Sequence, residues 1–411
     1  MSVEVWQIGR YHPLRFIAFG VTRALVDAKI KLRLRVDHDG KLSKMQPNAI
    51  SILGYGCTTA AGSTTADFWR GLVEGKDHSA ESHVNRQQAC LWPDRHEGSA
   101  RQILLHQMMQ AWKQASPIVD RKSRVGVVFA STKGLIDDVV WHKDQNPVRQ
   151  DTFTELLGEF IRQSELNPIR VITVSNACAS SLSALFVARQ WLNSNAVDQV
   201  VVVAADCVGP FVINGFHCLR ALTDDQVRPF AKNRSGLRLG EAAAVMVLAR
   251  SSQEDGQWRL EGVGLDSQGV SVTRPVSQSL KQACQRIAAL KTKSPDLIIA
   301  HGTATPINDP IEDEIFFDLF GRGPIVTATK WSVGHTLGAS GALDVIAACE
   351  ALAKQTVFKI ANTLEVDPAF RSRYLTKNTN ERTAHLDRVL VTSLGFGGIH
   401  AAALISRVGA L

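Results

Sequence analysis

The sequence has no run approaching the ~18 consecutive apolar residues needed to cross a bilayer, so a membrane span is not expected. It has no block of like charge long enough to form a disordered tail. No two cysteines form a CxxC pair, and no clean apolar core with a small-residue cleavage site precedes them, so a secretory leader is a weak reading of the opening residues. The seven cysteines are odd in number and irregular in spacing, which speaks against a disulfide framework and for reduced thiols in the cytoplasm. A basic stripe with interleaved aromatics is also missing from the body of the chain, which argues against nucleic acid. The formal charge of +7 comes mainly from residues 1–46, where nine Lys/Arg face four Asp/Glu. A local basic patch for a small acidic partner remains open.

What is present is size and alternation. With 411 residues and 45% hydrophobic content, the chain exceeds a usual single domain and has room for two domains or one duplicated unit. From Ile50 onward, short β-rich runs alternate with longer helical patterns, the signature of a layered α/β architecture. Strands are predicted at Val125–Ala130, Val171–Ser175, Gln199–Ala205, Asp296–Ala300, Ile325–Thr329 and Val389–Ser393. Their apolar content predicts burial on both faces. The strand at Val171 and the strand at Val389 each run into a turn of small residues, so a strand ending in a reactive turn is expected in both halves. A boundary is placed near Ser251–Gly256, where polar residues separate two apolar segments. Before Ile50, Lys29–Val36 reads KIKLRLRV and has strand periodicity. Because Met45 offers an alternative start, residues 1–46 are read as a basic extension or an edge element.

Three segments carry chemistry. In VSNACASS, Cys178 follows a predicted strand and precedes a predicted helix. A thiol there meets the positive end of the helix dipole, which favours thiolate. Alone, Cys178 would read as a buried inert cysteine. In HGTATPINDPIED, His301 leaves a strand and is followed by Thr303, Thr305, Asp309 and Glu312. In KWSVGHTLGASGALD, Lys330 stands five residues before His335. Two histidines in glycine-rich turns together with one cysteine make a constellation that a lone histidine would not.

Those segments resemble the condensing enzymes of fatty-acid and polyketide synthesis, the elongating β-ketoacyl-carrier-protein synthases. ISILGYGCTTAAGSTTADFWRGLVEGKD, NGFHCLRALTDD with RPFAKNRSGLRLGEAAAV, and LGFGGIHAAAL resemble the family's opening, central and closing segments, so the likeness covers about residues 49 to 406. It implies an α/β thiolase-like fold whose two similar halves form a five-layered α-β-α-β-α core, residues 47–252 with the nucleophile and 253–411 with both histidines. It also implies catalysis by Cys178, His301, His335 and Lys330, with the backbone N–H groups of Cys178 and Phe396 as an oxyanion hole and the Phe396 ring as a gate. Glu312 and Asp309 would be supporting residues, Glu312 near Lys330 as a buried pair. Thr303 and Thr305 would bind phosphopantetheine, although turn-stabilising hydroxyls explain them almost as well. No metal or resident cofactor is implied, since the substrates ride on the phosphopantetheine of an acyl carrier protein. A homodimer, or a heterodimer with a chain-length-factor-like subunit, is expected.

Residue types narrow the reading. A thiolase would need a second cysteine in the closing segment, and GFGGIHA has none. An initiating synthase would carry Asn in place of His335. Cys–His–His points to elongation with decarboxylation, in which neutral imidazoles stabilise the enolate left by departing carbon dioxide. Ala231, Ala242–Ala244, Leu394 and His400 depart from the family's usual residues, and DSQGVSVTRP is shorter than its counterpart. These departures point toward a specialised pathway such as aryl-polyene synthesis. A non-catalytic partner subunit is the rival reading, against which Cys178 speaks. Glu241 reads as structural, Cys207, Cys218 and Cys349 as core, and His217 and His400 as lining packing surfaces.

Overall fold

The computed structural model describes residues 34–36, 42–44, 49–81, 87–95, 98–141, 152–250, 257–269, 271, 275–379 and 385–408. Most of the basic extension, Met45, the boundary at Ser251–Gly256 and Val272–Arg274 of the shortened segment lie outside the described residues. Of KIKLRLRV, Leu34–Val36 is strand β1, paired antiparallel with β2 (Leu42–Lys44) in a hairpin separate from the main sheet.

The first half contains β3 (Ile50–Thr58), α1 (Thr65–Glu74), β4 (Ala80–Glu81), β5 (Gln88–Cys90), α2 (Ala100–Ala115), β6 (Val125–Ala130) and α3 (Ile136–Trp141). It continues with α4 (Thr152–Ser164), β7 (Arg170–Val174), α5 (Ser180–Asn193), β8 (Gln199–Asp206), α6 (Pro210–Cys218), β9 (Leu239–Gly240) and β10 (Ala242–Arg250). The second half contains β11 (Trp258–Ser267), α7 (Ser277–Gln285), β12 (Leu297–Ile299), α8 (Asn308–Phe320) and β13 (Ile325–Thr327). After it come α9 (Lys330–Val333), α10 (Ser340–Lys354), β14 (Arg373–Tyr374), β15 (Arg388–Gly395) and β16 (Ile399–Arg407). All six predicted strands are present, with ends shifted by up to two residues.

The long strands repeat one topology. Across the sheet the first half reads β7-β6-β8-β10-β3 and the second β13-β12-β15-β16-β11, which in each half's own chain order is 3-2-4-5-1 twice. In both, the second, third and fourth strands are mutually parallel, and the fifth is antiparallel to its neighbours. In this repeat the counterpart of β7, the Val171 strand, is β13, while β15, the Val389 strand, corresponds to β8. The halves join where the start of β11 pairs with β3, Trp258 opposite Ile52 and Leu260 opposite Ile50.

Helices fill the layers by their hydrophobic faces. Leu104 and Met108 of α2 and Leu156 and Phe160 of α4 pack on Val127, Val201 and Val245 of the first half's outer face. Leu182 and Leu185 of α5 and Val345 and Ile346 of α10 share one core with Val202 and Met246 of the first half and Val391 and Leu404 of the second. Leu280 and Cys284 of α7 close that core on the far side of β11 and β16, where α8 packs on α7. The result is five layers, α-β-α-β-α. The central position of α10 explains why SGALDVIAACEALAK is apolar nearly all round.

Burial on both faces holds for β6, β8 and β15 but not for β7. Arg170, Val171 and Ile172 are exposed because β7 forms the sheet's edge in the first half. No helix among the described residues is long and apolar enough to cross a membrane.

Candidate active site

The turn after β7 and the turn after β13 meet in the middle of the molecule. Cys178 sits between β7 and α5, on an elbow whose preceding residue, Ala177, is held at φ 48°, a strained conformation for a side chain with a Cβ. Ser180 fixes the elbow by donating its hydroxyl to the Ala177 carbonyl and accepting the Asn176 N–H, and Ser393 of β15 donates to the Cys178 carbonyl at 2.8 Å. His335 Nε2 lies 3.0 Å from Cys178 Sγ. The Leu337 N–H donates to His335 Nδ1 at 3.2 Å, so in the neutral ring the proton resides on Nε2 and points at the sulfur. His301, after β12, stands edge-on to His335 with ring centroids 5.2 Å apart. All three side chains are buried.

Burial sets their protonation. The Cys178 thiol is pushed up to about 12, chiefly by desolvation. Lys330 and the N–H groups of Phe396 and Cys178 itself, which hydrogen-bond toward the sulfur, pull it down only in part. The expected helix-dipole stabilisation of a resting thiolate is therefore overridden by loss of water. Desolvation, helped by Lys330, lowers His335 to about 3, and it lowers His301 well below the ordinary imidazole range, with His335 and His400 adding to the effect. Both imidazoles are neutral donors at physiological pH.

Glu312 organises the His301 turn. One oxygen accepts the His301 N–H at 2.8 Å and the Thr392 hydroxyl at 2.9 Å; the other accepts the Gly302 N–H at 2.7 Å and the Asn308 amide at 3.0 Å. Lys330 does not pair with it, as had been expected. Its Nζ donates to Asp344 Oδ2 at 3.1 Å, with Thr329 donating to the other oxygen at 2.5 Å. The side chains of Lys330 and Asp344 are 2% and 0% exposed, so this is a fully buried ion pair. Asp344 stands within the quoted HTLGASGALD, yet nothing in the spacing singled it out. Asp309 is buried and accepts the Phe230 N–H at 2.7 Å. Desolvation raises its carboxyl to about 7.

Phe396, half-buried on the closing turn, stacks on Phe216 at 5.5 Å, and Phe216 in turn meets the His335 ring edge-on at 6.3 Å. Gly395 allows this turn to press on the elbow: a Cβ there would lie 3.1 Å from the Asn176 carbonyl oxygen. Thr303 and Thr305 share a hydrogen bond at 3.2 Å, and the Thr305 hydroxyl accepts the Asn308 N–H. Thr305 thus has the turn-stabilising role, and any ligand contact would be additional.

Glu241 is structural, accepting the Trp92 and Val208 N–H groups and an Arg95 guanidinium bond at 2.6 Å. His400 is buried and accepts the Val276 N–H on Nε2. Cys218, exposed at the end of α6, is not core, and His217 beside it is exposed instead of lining a packing surface, whereas Cys207 and Cys349 are buried as expected. The Cys178, His301 and His335 ligand atoms lie within 4.8 Å of one another, a spacing that would suit a soft metal ion. The proton held on His335 Nε2 and the adjacent Lys330 charge favour hydrogen-bond chemistry at that spot instead.

The family profile described as "Beta-ketoacyl synthase, N-terminal domain" matches residues 95–254, and that described as "Beta-ketoacyl synthase, C-terminal domain" matches residues 259–364. A 3-oxoacyl-[acyl-carrier-protein] synthase 2 of Coxiella burnetii is 25% identical over 89% of this chain and 100% of its own. The tetracenomycin polyketide synthase ketoacyl synthase alpha subunit of Streptomyces glaucescens is 30% identical over 58% of this chain and 60% of its own. Among solved structures, the ishigamide ketosynthase/chain length factor superposes with a TM-score of 0.77 at 22% identity, covering 89% of this chain and 100% of that one. A ketosynthase in complex with its chain length factor from Xenorhabdus doucetiae gives 0.72 at 22% identity, covering 89% and 100%.

Proposed function

Because this chain belongs to the β-ketoacyl synthase family, matched across both of the family's domains, we propose that Cys178, His301 and His335 perform its decarboxylative condensation, and the observation that carries this assignment is the Nε2–H of His335 directed at Cys178 Sγ. The enzyme is an acyltransferase of fatty-acid or polyketide synthesis. In the first half-reaction Cys178 Sγ attacks an acyl thioester on the phosphopantetheine of an acyl carrier protein. The carbon–sulfur bond to the carrier breaks, and the thiol proton leaves with the carrier's sulfur. Resting Cys178 as a thiol suits this exchange, since a thiol is both consumed and released.

In the second half-reaction a malonyl carrier protein binds with its thioester carbonyl toward His301 and His335. The carbon–carbon bond to the carboxylate breaks, carbon dioxide leaves, and the electron pair becomes an enolate held by the two imidazole donors. The enolate carbon attacks the Cys178 thioester, whose oxygen is received by the Cys178 and Phe396 N–H groups. The tetrahedral intermediate expels the Cys178 sulfur as thiolate, which takes up one proton from solvent, the proton that the net reaction consumes. Lys330, paired with Asp344, adds its charge to the burial that keeps both histidines neutral, and Glu312 fixes the backbone from which His301 projects. No step requires a metal or a resident cofactor.

The exposed edge of β7, with Ile169, Val171 and Ile172 at 57%, 42% and 41% exposure, supports a dimer made by strand addition, with a second copy or a chain-length-factor-like chain. All seven cysteines are unbridged, in keeping with a cytoplasmic setting. The non-catalytic reading is disfavoured by the intact triad. The substitutions at Ala231, Leu394 and His400 support a specialised product, aryl polyenes among them.

The test is intact-protein mass spectrometry after incubation with a panel of acyl-carrier-protein thioesters. A mass increment on Cys178, absent in Cys178→Ala, is expected, and its size names the substrate class. Cys178→Gln should still release carbon dioxide from the malonyl carrier protein. Condensation by Cys178→Ala at the wild-type rate would remove the nucleophile assignment.

A further inference from the structure

Asp206, the last residue of β8, is fully buried beneath the catalytic centre and was not singled out by any motif. Its Oδ1 accepts the Ser131 hydroxyl at 2.7 Å, and its Oδ2 accepts the Thr132 N–H and the Gly338 N–H, both at 2.8 Å. The Ser131 oxygen already accepts the Gly134 N–H, so its proton is free for Asp206. Three donors converge on the group, the arrangement that calls for a carboxylate.

The donors belong to two loops, and each loop leads to a reacting side chain. Thr132 donates its hydroxyl at 3.2 Å to the carbonyl of Ala177, the residue before Cys178. Gly338 follows Leu337, whose N–H fixes the tautomer of His335. Packing matches the hydrogen bonding: a Cβ on Gly338 would lie 2.8 Å from Asp206 Oδ2 and 2.9 Å from the Thr132 nitrogen. Leu337 itself is held at φ 52°, a strained conformation that the neighbouring contacts must maintain.

We propose that Asp206 is a positioning residue for condensation, its carboxylate binding the Cys178 elbow and the His335 turn to one another so that sulfur and imidazole stay in register. This rests on Cys178 and His335 being the reacting pair. Burial raises the Asp206 carboxyl, and the Lys133 charge, itself ion-paired with Asp137, works against that together with the three donors. The carboxylate acts on the Cys178 thiol through space, raising it, while Lys133 offsets the cost of burying Asp206.

The experiment compares wild type, Asp206→Asn, Asp206→Glu and Thr132→Val. The readouts are condensation with acyl and malonyl carrier proteins, and the pH dependence of iodoacetamide alkylation at Cys178, followed by peptide mass. In Asp206→Asn, kcat should fall by about 10²-fold with KM unchanged, the scale of a ~1 Å misplacement of reacting groups. Alkylation of Cys178 should move to lower pH, because a buried negative charge has gone. Loosening of the fold would also lower the Cys178 midpoint, by hydrating the sulfur, so the mark of the carboxylate is that Asp206→Glu returns the midpoint together with activity. Asp206→Glu should recover part of kcat. Thr132→Val keeps the Gly338 link and removes the Ala177 link, so it should slow acylation of Cys178 while leaving malonyl decarboxylation near wild type. Wild-type kcat in Asp206→Asn, an unmoved alkylation midpoint, or equal losses of both half-reactions in Thr132→Val would overturn the proposal. Inactive wild type run alongside would overturn the functional reading instead, which keeps the two apart.

Discussion

Cys178 and His335 are 157 residues apart in the chain and 3.0 Å apart in space, because each stands on the turn after the third strand of its half. β7 leads to Cys178 and α5, and β13 leads to His335 and α10. The duplicated strand order makes these turns counterparts, so the repeat itself brings the Cys178 thiol and the His335 imidazole face to face.

The two histidines should be separable from the cysteine step. His301→Ala and His335→Ala should still accept an acyl group on Cys178, yet each should lose decarboxylation by about 10²-fold or more, the scale for one oxyanion donor. Carbon dioxide release from the malonyl carrier protein measures this. Normal release in either variant removes that histidine from the chemistry.

Acid should destabilise the fold through His335. In the unfolded chain the imidazole takes its proton near 6.5, but in the folded chain only near 3. Between those values the unfolded state binds more protons, so this contribution to stability is complete above about 6.5 and falls as pH drops. Asp309, raised from 3.8 to about 7, acts oppositely: its contribution is present at low pH and is lost as pH rises through about 7. His335→Gln should therefore show a smaller drop in urea midpoint between neutral and mildly acidic buffer than wild type. An unchanged drop would mean that His335 is not held neutral by the fold.

The Lys330–Asp344 pair should be costly to break and replaceable for stability alone. Asp344→Asn leaves a buried cation unmatched and should cost about 3–5 kcal/mol, whereas Lys330→Met with Asp344→Leu should recover most of that loss. Decarboxylation should stay impaired in the double variant, because the charge beside His301 and His335 is gone. Urea denaturation and carbon dioxide release, run on the same samples, test both halves of the statement. Full activity in the double variant would leave Lys330 with a structural role only.

Phe396→Ala removes the ring stacked on Phe216 and retains the N–H directed at Cys178. Acyl-chain preference should change, and the stability loss should fall well short of the ~3–5 kcal/mol typical of a buried core phenylalanine. Product profiles and melting curves read the two effects. A large unfolding effect, or an unchanged profile, would make Phe396 ordinary packing.

The sequence by itself determined the layered α/β class, six of the strands and the three residues, Cys178, His301 and His335, that the fold brings together. Strand runs and the small-residue turns after them are local signals, and a nucleophile between a strand and a helix has few alternatives. It also carried the family likeness, because Cys178, His301 and His335 each sit in a distinctive glycine- or small-residue context. Only the tertiary structure decided who pairs with whom. Lys330 meets Asp344, not Glu312, since α10 places Asp344 beside it while Glu312 is occupied by the donors of the His301 turn. The exposure of β7, His217 and Cys218 depends on the sheet's edge and the end of α6, which apolar content does not encode. The resting state of Cys178 was decided the same way, because the helix dipole can be read from local order but the desolvation that outweighs it exists only once both halves close over the sulfur.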